Sequence, residues 1–277
     1  MSKKRIERIV FLGKGGIGKS TILTNLSTIY AQMGRKVLFV GCDPKRDATM
    51  LLTSRTEIPT VIDQLIRTND VRLEDVLLEA RSGIHCIEAG GPEPGVGCAG
   101  RGIARMLEFF VESELLEKNG YDTVLFDLLG DIVCGGFATP LRKGFGEKVF
   151  IVVSDELMSL YAANNIARAV VNCAPNGVVL GGLVANLKDA KADEKMIGRF
   201  ARKLKTRVVA TLRRDARFRK AEYKRLTLAE HSPGSETVKN LGRLARKVLR
   251  IDPGKMEPPK PMDDGTFYEL SRRGFSR

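Results

Sequence analysis

The sequence has no C-x-x-C pair, although it contains five cysteines, at positions 42, 86, 98, 134 and 173. That absence argues against a zinc finger, a thioredoxin-type redox site and a self-contained cluster motif. An odd number of cysteines without extracellular features also argues against a disulfide framework. Histidine is scarce, and His85 and His231 stand too far apart to suggest a pair, so His85 is expected to be structural. No stretch approaches the roughly 18 consecutive apolar residues of a membrane helix. The charged segment from Met1 to Arg8 precedes only a short apolar run, unlike the long apolar region of a signal peptide. A cytoplasmic protein with no membrane partner is expected.

What the chain does have is an unusually complete phosphate-binding pattern. Residues 13–20 read Gly-Lys-Gly-Gly-Ile-Gly-Lys-Ser, after the apolar run Ile9-Val10-Phe11-Leu12 and before a helix-like stretch that opens at Thr21. This is G-x-x-x-x-G-K-[ST] in the strand, loop and helix context that such a motif requires. Gly13, Gly15, Gly16 and Gly18 allow main-chain N–H groups, with that of Ile17, to turn toward a polyphosphate at the positive end of the following helix. Lys19 is then placed to neutralise the β- and γ-phosphates, and Ser20 to ligate Mg²⁺. Lys14 is a second cation, too early in the loop for the task of Lys19. It is suited to reach a γ-phosphate in a facing subunit, as an arginine finger does in trans.

The remaining pattern is α/β. Residues 36–40, 83–88, 121–127, 148–153, 178–186 and 207–212 read as strands, and 21–32, 59–78 and 103–117 as helical. The expected fold is a P-loop NTPase with a mostly parallel sheet and helices on both faces. Residues 1–251 are read as one ATPase domain, and residues 252–277 as a proline-containing tail that wraps a neighbour. Residues 199–277 hold 22 Lys+Arg against 9 Asp+Glu, which accounts for the whole net charge of +13. Such a region attracts nucleic acid, an anionic surface or an acidic protein, and a solvated basic face is the plainest reading.

Carboxylates stand where strands end. Asp43 follows the second strand and is suited to orient the attacking water, and Asp47 to hold Mg²⁺ through water. Asp127 ends a later strand and opens D-x-x-G, which puts Gly130 near the γ-phosphate as part of a switch. Asn186 ends another strand and is suited to a base edge. Cys98 and Cys134 are each set among glycines. Two isolated cysteines are more often buried structural residues. The other reading is that a two-fold dimer pools four thiolates around one 4Fe-4S cluster.

Residues 13–20, Gly41-Cys42-Asp43-Pro44-Lys45, the glycine-rich stretch 90–102, residues 129–137 and Tyr161-Ala162-Ala163-Asn164-Asn165 resemble the nitrogenase iron protein and its relatives. Those relatives include the iron proteins of protochlorophyllide and chlorophyllide reductases, of nickel-sirohydrochlorin reductive cyclase and of methylthio-alkane reductase. The resemblance implies a homodimeric, MgATP-dependent reductase component. In it, Cys98 and Cys134 of both subunits hold one 4Fe-4S cluster per dimer, and Lys14 reaches across. Asp43 and Lys45 form the first switch, and Asp127 to Asp131 the second. Arg101 corresponds to a docking arginine, and Asn186, Asp215 and Glu222 border the adenine. Electrons arrive from ferredoxin or flavodoxin and leave for a separate heteromeric catalytic component, with no nucleic acid involved. Arg213 replaces the family's proline before an Arg-Asp pair, and residues 47–50 read Asp-Ala-Thr-Met instead of Asp-Ser-Thr-Arg. With the basic C-terminal region, these departures favour a nitrogenase-like reductase over true nitrogen fixation. The rivals are a partitioning-type ATPase that binds DNA and a cluster-carrier ATPase.

Overall fold

The computed structural model describes residues 5–68, 70–91, 99–128, 130, 138–189 and 191–276. Its frame is an eight-stranded sheet. The strands are β1 (Glu7–Leu12), β2 (Val37–Gly41), β3 (Leu78–Glu79), β4 (His85–Glu88), β5 (Thr123–Asp127), β6 (Lys148–Val153), β7 (Val179–Leu187) and β8 (Val208–Arg213). Their spatial order is β3-β4-β2-β5-β1-β6-β7-β8. Only the short β3 pairs antiparallel, with β4, among the described residues.

Strand composition explains the burial. Val10 and Leu12 pack into one apolar cluster while Ile9 and Phe11 pack into another, so alternate residues of β1 serve opposite faces. A parallel sheet needs both faces covered, which is why its strands read as continuous apolar runs. Helices Ala99–Glu112, Leu157–Cys173 and Glu194–Lys203 cover one face through Ile103, Leu160, Ile166 and Phe200. Helices Lys19–Gln32 and Glu236–Arg250 cover the other through Ile22, Leu26, Leu241 and Leu244.

The stretch 59–78 forms two short helices, Val61–Thr68 and Leu73–Val76, followed by β3, and not one long helix. The helix expected over 103–117 begins at Ala99 and stops at Glu112, because Glu114 takes a left-handed backbone (φ 51°) before Leu115–Lys118. The prolines of 253–261 do keep that segment free of α-helix, but a helix, Asp264–Arg272, comes after it. That helix packs back on its own chain. Phe267 is buried, Arg168 pairs with Asp264 at 2.7 Å, and Asn164 exchanges two hydrogen bonds with the main chain of Met262. No helix among the described residues is long and apolar enough to cross a membrane.

β1 lies at the centre, with later strands added on both sides of it. In an open α/β sheet the crevice at the carboxyl ends of such strands is where ligands bind. The loops after β1, β2, β4 and β5 all open there.

Candidate functional site

The loop after β1 is shaped by close backbone contacts. Gly13 sits at φ 144°, and a Cβ there would lie 2.4 Å from the Val152 carbonyl oxygen. Gly18 sits at φ 97°, where a Cβ would lie 2.5 Å from Asn186 Nδ2, and that amide donates to the Ile17 carbonyl at 2.8 Å. Asn186 therefore braces the loop from β7. The helix Lys19–Gln32 starts immediately after Gly18, so its free N–H groups point into the glycine cradle. Gly15 and Gly16 are exposed and Ile17 is buried beneath them. A cradle that side chains would fill, at the positive end of a helix, fits a polyphosphate.

Charge is concentrated beneath it. Lys19 is buried, and Asp127 is buried at the end of β5. Burial pushes the Asp127 carboxyl up to about 6, against the pull of a hydrogen bond from Ser20 and the charge of Lys19, while Asp43 and Asp47 push the same way as burial. Ser20, Asp43, Asp47 and Asp127 are thus electrostatically one group. Among the described residues no three acidic, cysteine or histidine side chains stand close enough together to hold a metal ion by themselves, and the hydroxyl of Ser20 beside the Asp127 carboxylate is the oxygen pair that suits a phosphate-bound Mg²⁺. In the segment after β2, Asp43 Oδ1 accepts from the Lys45 main chain at 2.9 Å, while Lys45 and Asp47 are exposed.

Gly130 makes the tightest approach. A Cβ on it would sit 1.7 Å from the Gly13 carbonyl oxygen, so Gly130 lies directly on the phosphate loop. Lys14 points elsewhere within its own chain: its Nζ is 3.6 Å from Glu156 Oε2, and Lys188 lies 4.0 Å from Oε1 of the same carboxylate. Gly18, Thr21, Asn186, Asp215 and Glu222 line one cavity of about 420 Å³ beside the loop, with Phe218 at its wall. The residues expected at the adenine are therefore brought together. Asp215 is already engaged: its carboxylate caps the helix Ala216–Tyr223, grips Arg217 and accepts from Thr237 at 2.6 Å. Arg217 chiefly holds that carboxyl well below the usual carboxylate range, with Thr237 helping.

Sequence reasoning missed Glu88. It ends β4 in register with Gly41 and is fully buried. Oε1 accepts from the Thr49 main chain at 3.0 Å, whereas Oε2 has no hydrogen-bond partner among the described residues. A Cβ on Gly41 would lie 2.0 Å from Oε2, so glycine makes the space for this carboxyl. Burial pushes Glu88 up to about 8, aided by Asp127 and Asp47, so it is mostly neutral at pH 7. The available signal was a polar residue at the carboxyl end of a strand beside β2.

Cys98, Cys134 and Asp131 lie outside the described residues, and Arg101 is exposed in the first turn of the helix Ala99–Glu112. The other three cysteines are core residues. Cys42, Cys86 and Cys173 are buried, and burial raises each thiol. None is available as an exposed thiolate. Of the five cysteines, only Cys98 and Cys134 remain as candidate ligands, a donor set that fits a cluster shared between two subunits.

Among solved structures, the chain is similar to the MinD cell division protein of Aquifex aeolicus, with a TM-score of 0.65 and 19% identity over 92% of this chain and 99% of that one. It is similar to the septum site-determining protein MinD of Pyrococcus horikoshii, complexed with Mg-ADP, at 0.70 and 22% over 88% and 97%. A ParA family ATPase from Chlorobium tepidum matches at 0.66 and 16% over 87% and 98%. These likenesses show the P-loop NTPase fold. A sequence model of the 4Fe-4S iron sulfur cluster binding proteins matches residues 7–273, and the chain belongs to their NifH/frxC family.

Proposed function

We propose that this chain is the ATP-dependent reductase component of a nitrogenase-like complex, a homodimer that passes single electrons to a separate catalytic component. The observation that carries this reading is the sorting of the cysteines: three are sealed in the core, leaving two for a shared 4Fe-4S cluster. Cys98 and Cys134 would hold it, and it supplies a one-electron store. The glycine cradle, Lys19 and Ser20 bind MgATP, with Asp127 and Asp47 completing the Mg²⁺ environment. Asp43, Lys45 and Asp131 act on the γ-phosphate and the attacking water. Lys14 leaves Glu156 and reaches across the dimer as the subunits close. Gly130 moves with the γ-phosphate because it already lies on Gly13. Arg101 meets the catalytic component, and ferredoxin or flavodoxin recharges the dimer, all in the cytoplasm.

Protein purified without oxygen tests this directly. The expected result is a brown dimer with about two iron atoms per chain, and loss of iron and absorbance in both Cys98→Ala and Cys134→Ala. Full iron in either variant overturns the shared-cluster reading. A colourless protein that binds DNA in the presence of ATP, and releases it as salt rises, would identify a partitioning-type ATPase instead.

A further inference from the structure

We propose that Arg46 and Asp63 form a clasp through which the first nucleotide switch repositions the helix that carries Arg101. The proposal rests on the nucleotide reading above and adds a pair of positioning residues to it. Arg46 lies between Lys45 and Asp47 in the segment after β2 and has a left-handed backbone, φ 61°. Its guanidinium meets Asp63 with two contacts, Nη1 to Oδ2 at 2.5 Å and Nη2 to Oδ1 at 2.8 Å. Asp63 belongs to the first turn of the helix Val61–Thr68.

That helix is joined to the residues on either side of 92–98, the stretch of sequence that holds Cys98. Ile62 N donates to the Ala89 carbonyl, Thr60 Oγ1 would touch a Cβ on Gly90, and the Ile62 side chain would lie 3.1 Å from a Cβ on Gly102. Gly102 comes directly after Arg101 in the first turn of the helix Ala99–Glu112. On the other side of residues 92–98, Gly91 packs on Pro44 of the same switch segment. The switch therefore touches both shoulders of the segment that contains Cys98: one directly through Pro44, and the other through Arg46, Asp63 and Ile62. Glycines stand at three of these four contacts, Gly90, Gly91 and Gly102, so there is no side chain at them to absorb a shift.

The strength of the pair suits a coupling device. Arg46 and Asp63 are 41% and 23% exposed, and ion pairs this open contribute little to folding. Breaking the clasp leaves the fold intact, yet its two-pronged geometry transmits direction as well as attraction. Among the described residues, the hydrogen bonds that Arg46 donates go to Asp63 and to the Asp43 carbonyl, not to residues 13–20. Its effect therefore passes through the helix and not through phosphate binding.

Hydrogen–deuterium exchange of the anaerobically purified dimer, with and without MgATP, tests this. In the wild type MgATP slows exchange in residues 43–49 and also in 99–112. In Arg46→Ala and Asp63→Ala the response at 43–49 is kept, while that at 99–112 falls by about fivefold or more, the scale of an ordinary coupling energy. The charge-swapped double variant Arg46→Asp/Asp63→Arg recovers the distant response. An intact response at 99–112 in both single variants, or no recovery in the swap, overturns the clasp. If MgATP changes 43–49 but not 99–112 in the wild type, the clasp alone fails. If it changes neither, the nucleotide reading fails with it.

Discussion

Gly130 rests on the carbonyl oxygen of Gly13, so closely that a single added carbon would have to sit 1.7 Å from that oxygen. The neighbour is backbone of a loop that is itself held by Val152 and Asn186, and neither side can step aside cheaply. Gly130→Ala is therefore expected to push the two loops apart and to weaken MgADP binding by at least about tenfold, roughly 1.4 kcal/mol. Titration calorimetry with MgADP reads this, and unchanged affinity in a folded Gly130→Ala protein would show that the two loops move independently.

The cavity beside the loop gives a prediction that separates base from phosphate. Glu222 lines it from the helix Ala216–Tyr223. Glu222→Ala should lower affinity for MgATP by about three- to tenfold, the value of one ordinary hydrogen bond, and leave binding of magnesium tripolyphosphate unchanged. Equal losses for both ligands would place Glu222 outside the base site.

The contrast between Ser20 and Glu88 shows what sequence could and could not disclose. Ser20, Lys19 and the glycines were legible because the chemistry of a phosphate loop is local: eight consecutive residues carry the backbone N–H groups, the cation and the hydroxyl. Asp127 was legible because it ends an apolar strand. Glu88 ends a strand too, but its character comes from Gly41 on the neighbouring strand and Thr49 beyond it, and strand order is not written in either segment. The clasp between Arg46 and Asp63 was hidden for the same reason, since 17 residues and a change of direction separate its halves. The C-terminal helix escaped notice because the prolines of 253–261 mark an irregular segment and carry no information about the residues beyond them. Phe267 and Phe275, buried against Phe200, are the residues that dock it.

Lys14 and Glu156 offer a third test. Their side chains are 40% and 50% exposed at 3.6 Å, a weak contact that leaves Lys14 free to exchange partners. Glu156→Gln should leave folding stability within about 0.5 kcal/mol, measured by urea unfolding. Lys14→Gln should bind MgATP within about threefold of wild type while losing hydrolysis, the outcome that follows from the role proposed for its ammonium in a facing subunit. Normal hydrolysis by Lys14→Gln would remove Lys14 from the reaction.

Glu88 makes stability depend on pH in a direction opposite to that of an ordinary surface carboxylate. Its folded value of about 8 stands above the 4.5 of a free glutamate, so between those limits the folded chain holds a proton that the unfolded chain has released. Stability contributed by this group is fully present below the unfolded value and is lost as pH rises through the folded one. Asp127 acts in the same direction only up to about 6, and His85, lowered chiefly by burial, acts oppositely below its ordinary value of 6.5. Between roughly pH 7 and 8 Glu88 is the main contributor, with the raised thiols of Cys42, Cys86 and Cys173 adding a smaller loss toward pH 8, and a full proton difference would give a slope of about 1.4 kcal/mol per pH unit. Nucleotide-free protein should lose stability across this interval at up to that slope in urea unfolding. Glu88→Gln keeps an oxygen for the Thr49 N–H but has no acid to ionise, so its stability should be flatter over the same range. Parallel curves for the two proteins would mean that Glu88 is ionised throughout, and that a counter-charge reaches Oε2 in solution.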